Sequence, residues 1–347
     1  MNKRISLLYK KYDYLRKKKL VVNSISKHQS RGTYKNLLET SCASGSTFFR
    51  QNSFHNEVAF IKNWEGVTIF LDAFIDKQYL NYKSDFNVAL LIESKGVKPD
   101  VYKRLFDLED HFDLILTHDA EILINFENKT RFIAADTITT NPKYYGVKKS
   151  KKIKDISFNF SNKLLTPGHK LRYKIANDND IINNRLIDQL GSGPQGIRIP
   201  EKGEMIDPYK FSIVVENSNY PYYFTEKIMD CFISGTVPIY WGCDSIGKFF
   251  DDRGILKFST LAELKVHLNR ISDDPNRLYD SMDLAIKKNY QIAKDYLYFD
   301  DIYFLEMINY IDEKFGLKNK MHWFSVKGNE EFSNPNNIIN KVIRKFR

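Results

Sequence analysis

Cysteine is scarce in this chain: Cys42, Cys231 and Cys243 are its whole complement. They form no C-x-x-C and no metal-ligand spacing, so a disulfide framework or a cysteine-held metal is not expected. They read as free thiols of a reducing compartment, with Cys231 on a buried helix face. Long apolar runs are missing too. Residues 67–75 are interrupted by Asp72 and residues 88–93 close on Glu93, far short of the roughly 20 apolar residues of a membrane-spanning helix. The basic N-terminus lacks the apolar stretch of a signal peptide. A cytoplasmic protein is expected, with peripheral contact to an anionic membrane face through the basic termini as a further expectation. No internal repeat, G-x-G-x-x-G, Walker A loop, H-E-x-x-H or D-x-D string is read in the chain. His118 and His169 have no second ligand at metal spacing, so no metal is expected. The G-S-G at residues 191–193 reads as a turn after a strand.

Acidic residues are in deficit, 43 against 53 Lys and Arg, for a formal net charge of +10. Much of the excess sits at residues 3–19 and 341–347. A basic balance suits an anionic partner: nucleic acid, an acidic membrane or a phosphorylated small molecule. No aromatic-basic platform or nucleic-acid module is visible, so nucleic acid is not expected. Aromatic residues are plentiful, at 14 % of a 347-residue chain, which supplies a substantial core. Strand-like runs at 67–71, 87–92 and 112–117 alternate with helical patterns such as 101–108, the signature of a parallel sheet with helices. Polar residues follow the strand ends: Asp72, Glu93, His118 and Asp119. A basic run at 148–154 marks a boundary, after which strand and helix patterns resume. The expectation is an N-terminal Rossmann-like domain over 1–150, a second domain over 151–315 and a basic tail over 316–347. Residues 24–56 read as mostly irregular. The tail's last eleven residues can form a short helix with a basic face.

The most informative stretch is 211–242. Residues 211–215 form an apolar strand, 216–223 a polar loop with a proline, and Thr225 a helix N-cap with Glu226 in the first turn. Gly235 ends the helix and 236–241 is the next strand. The loop and helix start therefore lie at the C-terminal end of a strand, where open α/β sheets bind ligands. Free backbone N–H groups at such a helix start favour phosphate. Asn217, Tyr223, Glu226 and Lys227 crowd one mouth: a cation for a diphosphate, a carboxylate for sugar hydroxyls.

The strings FSIVVENS, YFTEKI and GTVPIYWG within 211–242, with SNKLLTPGHKLR at 161–172, resemble the donor-site motifs of glycosyltransferase family 10, the α1,3/α1,4-fucosyltransferases. The likeness is good over about 153–258 and weak in the first 150 residues. It implies a GT-B architecture, two Rossmann-like domains facing across a cleft. It further implies an inverting, metal-independent transfer of fucose from GDP-fucose to a glycan hydroxyl, with no cofactor required. By resemblance, Arg172 and Lys227 hold the diphosphate, Glu226 the ribose hydroxyls, and Asn217 and Tyr223 the nucleotide or its phosphates. Glu216 stabilises the loop. The general base is Glu93, after an apolar strand, although Ser94 follows it where the family has Asn. Asp72, Asp76 and Asp119 are rivals. A transferase of another nucleotide sugar and a non-catalytic nucleotide-sugar or glycan-binding protein are the alternatives.

Overall fold

Two five-stranded parallel sheets organise a computed structural model of the chain. It describes residues 23–25, 67–82, 86–191, 196–197, 199–297 and positions 303, 306, 307, 309, 310, 313 and 314. Cys42, most of the stretch at 24–56 and the basic tail lie outside the described residues. Among the described residues, no helix is long and apolar enough to cross a membrane.

The first sheet holds β1 (Asn23–Ile25), β2 (Val67–Leu71), β3 (Phe86–Leu90), β4 (Leu114–Thr117) and β5 (Thr130–Phe132), in that order. All neighbours are parallel, with Ile69 opposite Val88 and Val88 opposite Leu114. Every residue of β3 is buried, as a two-sided parallel strand requires. Helix α1 (Pro99–Leu108) begins on a proline, whose missing N–H costs nothing there. Its Val101, Tyr102, Leu105 and Leu108 recur at helical spacing and pack with Phe70, Ala89 and Ile115 of the sheet. Asp119 caps the next helix, α2 (Ala120–Asn125), by accepting the Ile122 amide at 3.0 Å. Strand β5 ends at Phe132. The Ile133 amide still reaches the Thr117 carbonyl, after which the chain leaves for the second sheet.

The second sheet holds β6 (Lys154–Phe160), β7 (Ile187–Gly191), β8 (Tyr209–Val215), β9 (Val237–Trp241) and β10 (Leu256–Lys257) in the order β10-β9-β8-β6-β7. The chain runs from β6 outward to β7, returns to the other side of β6 as β8, and continues away. The switch point therefore lies between β6 and β8, and such a point opens a ligand crevice at the carboxyl ends of the strands. Two connections leave that crevice. One is the loop from β6 to α3 (Pro167–Ala176), followed by the short α4 (Asn179–Ile182). The other is the loop from β8 to α5 (Glu226–Ile233). Side chains alternate across the sheet. Phe211, Ile213 and Val215 meet α3, α6 (Leu261–Asp273) and α7 (Pro275–Ser281) on one face. Val214 and Tyr240 meet α5 on the other.

Local signals explain the helix ends. Thr260 accepts the Glu263 amide, while Glu263 reaches back to the Ser259 amide rather than to Thr260, so the capping box closes one residue early. Two helices follow α6 in close succession. α7 ends at Met282, whose amide bonds the Tyr279 carbonyl, and α8 (Asp283–Ala293) restarts after it. Gly235 turns the chain out of α5 at φ 67°. Lys152, from the basic run, is buried and donates to the carbonyls of Asp207 and Ser234 and to the Thr236 hydroxyl, at 2.7–2.8 Å. Tyr310 then packs on Phe86 of β3 at 6.3 Å between ring centres, placing the last described residues against the first sheet.

Candidate active site

The site grows from the carboxyl end of β8. Glu216 is fully buried there, and its two oxygens accept the Thr225 amide at 3.0 Å and the Thr225 hydroxyl at 2.7 Å. That clamp closes the 216–225 loop and fixes the cap of α5. Within the loop Tyr222 takes a left-handed φ of 67°, a strained conformation held by its amide on the Ser245 hydroxyl and by Lys248 on its own. The start of α3 closes on the same loop. The Gly168 amide donates to the Asn217 carbonyl at 3.1 Å, and a Cβ at Gly168 would fall on the Glu216 carbonyl oxygen. Only glycine lets the two backbones approach this closely.

Arg172, on α3, is buried. Its Nε and Nη2 donate to the Val215 carbonyl at 2.9 and 2.6 Å, and Nη2 donates to Asn217 Oδ1 at 2.8 Å. The guanidinium thus braces the end of β8 and brings a fixed positive charge to the crevice. His169 lies one turn earlier, with Nδ1 2.7 Å from the Thr166 hydroxyl. Burial and the nearby Arg172 hold its pKa down to about 4, so it is neutral at neutral pH.

On the opposite wall, Lys227 Nζ lies 3.0 Å from the Thr225 hydroxyl, 3.2 Å from Glu226 Oε1 and 3.5 Å from Glu216 Oε2. Glu226 is mostly buried. Burial works against its charge, yet Lys227 and Lys202 outweigh it and hold the carboxyl well below its ordinary range. Asp136 is the counterpart: burial and the Glu226 charge push it well above the carboxylate range, so it remains protonated and hydrogen-bonds Glu226. Arg172, Asn217, Glu226 and Lys227 are therefore brought to one mouth, as the sequence reading expects. Lys202, Asp136 and Asp230 were not anticipated. They come from a turn, from the inter-sheet linker and from the hidden side of α5, and nothing in local sequence links them.

Tyr223 points to the other sheet. It is buried, with its ring 5.0 Å from that of His118. Ser94 Oγ lies 2.9 Å from Ser218 Oγ across the same junction. Glu93, just before Ser94, is half-buried. Asp72 Oδ1 accepts the Ile92 amide at 2.9 Å and the Glu93 amide at 3.3 Å, and the Tyr102 hydroxyl donates to the Glu93 carbonyl at 2.7 Å. The three rival carboxylates have structural duties: Asp72 holds this strand end, Asp76 pairs with Arg104 at 3.2 Å, and Asp119 caps α2.

Two strings that the sequence reading excluded are in fact present, and both have other roles. Gly191, Gly193 and Gly196 have the full G-x-G-x-x-G spacing, beyond the G-S-G noted from sequence. A dinucleotide fingerprint must open a helix, whereas Ile197 returns to bond Gln189 and Gly191 of β7. Asp178-Asn179-Asp180 has the D-x-D form of paired metal carboxylates. Asp178 instead caps α4, and Lys265 pairs with both aspartates at 2.9 and 2.7 Å.

Residues 167–314 match the family model described as glycosyltransferase family 10 (fucosyltransferase) C-term. This part of the chain is similar to that domain. It begins at α3 and contains Arg172, the 216–225 loop and α5. An α-(1,3)-fucosyltransferase, FucT, of Helicobacter pylori is 34 % identical over 92 residues, 23 % of this chain and 19 % of that protein. An α-(1,4)-fucosyltransferase of Arabidopsis thaliana is 36 % identical over 70 residues, 19 % of this chain and 18 % of that protein. The alignments thus span less than a fifth of each of these relatives. In three dimensions the likeness extends further. A crystal structure of an α1,3-fucosyltransferase matches with a TM-score of 0.52 at 16 % identity, covering 85 % of this chain and 89 % of the other. Anabaena HepE in complex with UDP-glucose matches with a TM-score of 0.50 at 10 % identity, covering 84 % and 98 %. The fold that contains this stretch is GT-B.

Proposed function

We propose that this chain is an inverting, metal-independent fucosyltransferase that moves fucose from GDP-fucose to a glycan hydroxyl. The observation that carries the reading is the family 10 mouth itself: Arg172, Asn217, Glu226 and Lys227 gathered at the switch point of the second sheet, beside the N-terminus of α5. Departure of GDP develops negative charge. Lys227, Arg172 and the helix start supply preorganised positive charge for it. Glu226 accepts the ribose hydroxyls as a carboxylate. Asn217, held by Arg172, lines the nucleotide end, whereas Tyr223 is buried on His118 at the junction of the two sheets. The acceptor hydroxyl attacks the anomeric carbon from the face opposite the leaving diphosphate, and Glu93 takes its proton. Glu93 is supported by its place at a strand end joined to the donor loop through Ser94 and Ser218, and by the structural duties of its rivals.

The test is GDP release from GDP-fucose with a panel of N-acetyllactosamine-type acceptors. We expect acceptor-dependent turnover, reduced by about two to three decades in Lys227→Met. Turnover with UDP- or dTDP-sugars and none with GDP-fucose would overturn the donor assignment. Binding of GDP-fucose without turnover on any acceptor would favour a binding protein.

A further inference from the structure

Two lysines face one oxygen of Glu226, and they are anchored differently. Lys227 Nζ lies 3.2 Å from Oε1 and shares its remaining partners, Thr225 and Glu216, with the loop. Lys202 Nζ lies 3.4 Å from the same Oε1 and is tied down from behind: 2.7 Å from Asp230 Oδ2 and 2.9 Å from Thr139 Oγ1. An ammonium has three donors, and these three partners occupy them. Asp230 is itself immobilised. It is fully buried and accepts the Thr139 amide at 2.8 Å, the Thr139 hydroxyl at 2.6 Å and the Thr140 amide at 3.0 Å. The turn Lys202–Met205 is pinned as well. Gly203 lies so close to Tyr144 that a Cβ would strike the ring, and the Tyr144 hydroxyl donates to Glu204 at 3.2 Å.

We propose that Lys202 is a positioning residue that orients the Glu226 carboxylate toward the nucleotide ribose. The inference rests on the GDP-binding reading and assigns the two lysines separate tasks. When a diphosphate arrives, Lys227 turns to it and gives up part of its hold on Glu226. Lys202, half-buried and anchored by Asp230 and Thr139, remains as the counter-charge. Without it Glu226 faces the protonated Asp136 from the linker, Lys227 on its own helix and the more distant Arg172 on α3. A carboxylate that has lost a fixed cation in a buried site picks up a proton at higher pH. Protonated, it can no longer accept both ribose hydroxyls.

The experiment is calorimetric titration of the full chain with GDP and with 2′-deoxy-GDP, from about pH 5.5 to 8. Wild type should prefer GDP about tenfold, with a flat profile, and Glu226→Gln should lose the preference. Lys202→Met should weaken GDP about tenfold at neutral pH and further on acidification, while leaving 2′-deoxy-GDP nearly unchanged. Lys202→Arg should restore most of the preference. A merely structural role would weaken both nucleotides alike. Lys202→Met leaves Asp230 short of a cation, so Lys202→Met/Asp230→Asn is measured beside it, and the same loss of ribose preference is expected. Lysine variants that keep the preference and the flat profile, with Glu226→Gln still losing it, would overturn the inference alone. A wild type that binds no GDP would overturn the functional reading and the inference together.

Discussion

Asp72 shows how much one buried carboxyl decides. It sits at the top of β2 in a left-handed conformation, φ 45°, and accepts the amides of Ile92 and Glu93. Burial raises its pKa to about 6, against the pull of the Ile92 amide and Lys98. The folded state therefore binds this proton more tightly than the unfolded chain does. The stability it contributes is complete below the unfolded carboxyl pKa, near 4, and is lost as pH rises through about 6. Asp72→Asn removes that titration. The difference in urea-unfolding free energy between wild type and variant should shift by roughly 2 kcal/mol against wild type between about pH 4 and pH 7. An unchanged difference would mean that Asp72 keeps an ordinary pKa. Sequence offered Asp72 as a rival base; its backbone bonds give it a different task. Glu216 goes the other way: its loop-stabilising role, expected by resemblance, is visible in its grip on Thr225.

Between elements, the decisive contact is that of α3 with the β8 loop. Thr166 and Pro167 start the helix, and Gly168 then lets the helix backbone meet the Glu216 carbonyl. Gly168→Ala forces the two apart. The expected cost is about 2–3 kcal/mol in unfolding free energy, with GDP binding weakened more than tenfold because Arg172 loses its seat on Val215. Isothermal titration and urea melts measure both. The extent of α5 was legible in sequence because caps and spacing are local: Thr225 before Glu226 and Gly235 after the last turn. The short α7 was not, because seven residues are too few to show a helical period. The Lys202–Asp230–Thr139 cluster was equally hidden. It joins residues 28 and 63 positions from Lys202, through a fold that periodicity does not describe.

Across the whole molecule, the two sheets meet through their strand ends. Ser94 touches Ser218 and His118 packs on Tyr223, so the loop that would carry the base rests on the loop that would hold the donor. The two-sheet architecture was foreseeable from strand-helix alternation and the resemblance, and the GT-B likeness bears it out. The return of Tyr310 to β3 was not, since a helical pattern does not say which sheet it covers. Binding and proton transfer should thus be separable, with the first beside the second sheet and the second across the junction. The measurement that tests this most directly pairs GDP-fucose affinity with acceptor-dependent GDP release for Glu93→Gln. The account predicts affinity within about twofold of wild type and turnover reduced by two to four decades. Turnover near that of wild type would contradict it, because the proton would then be taken by another group.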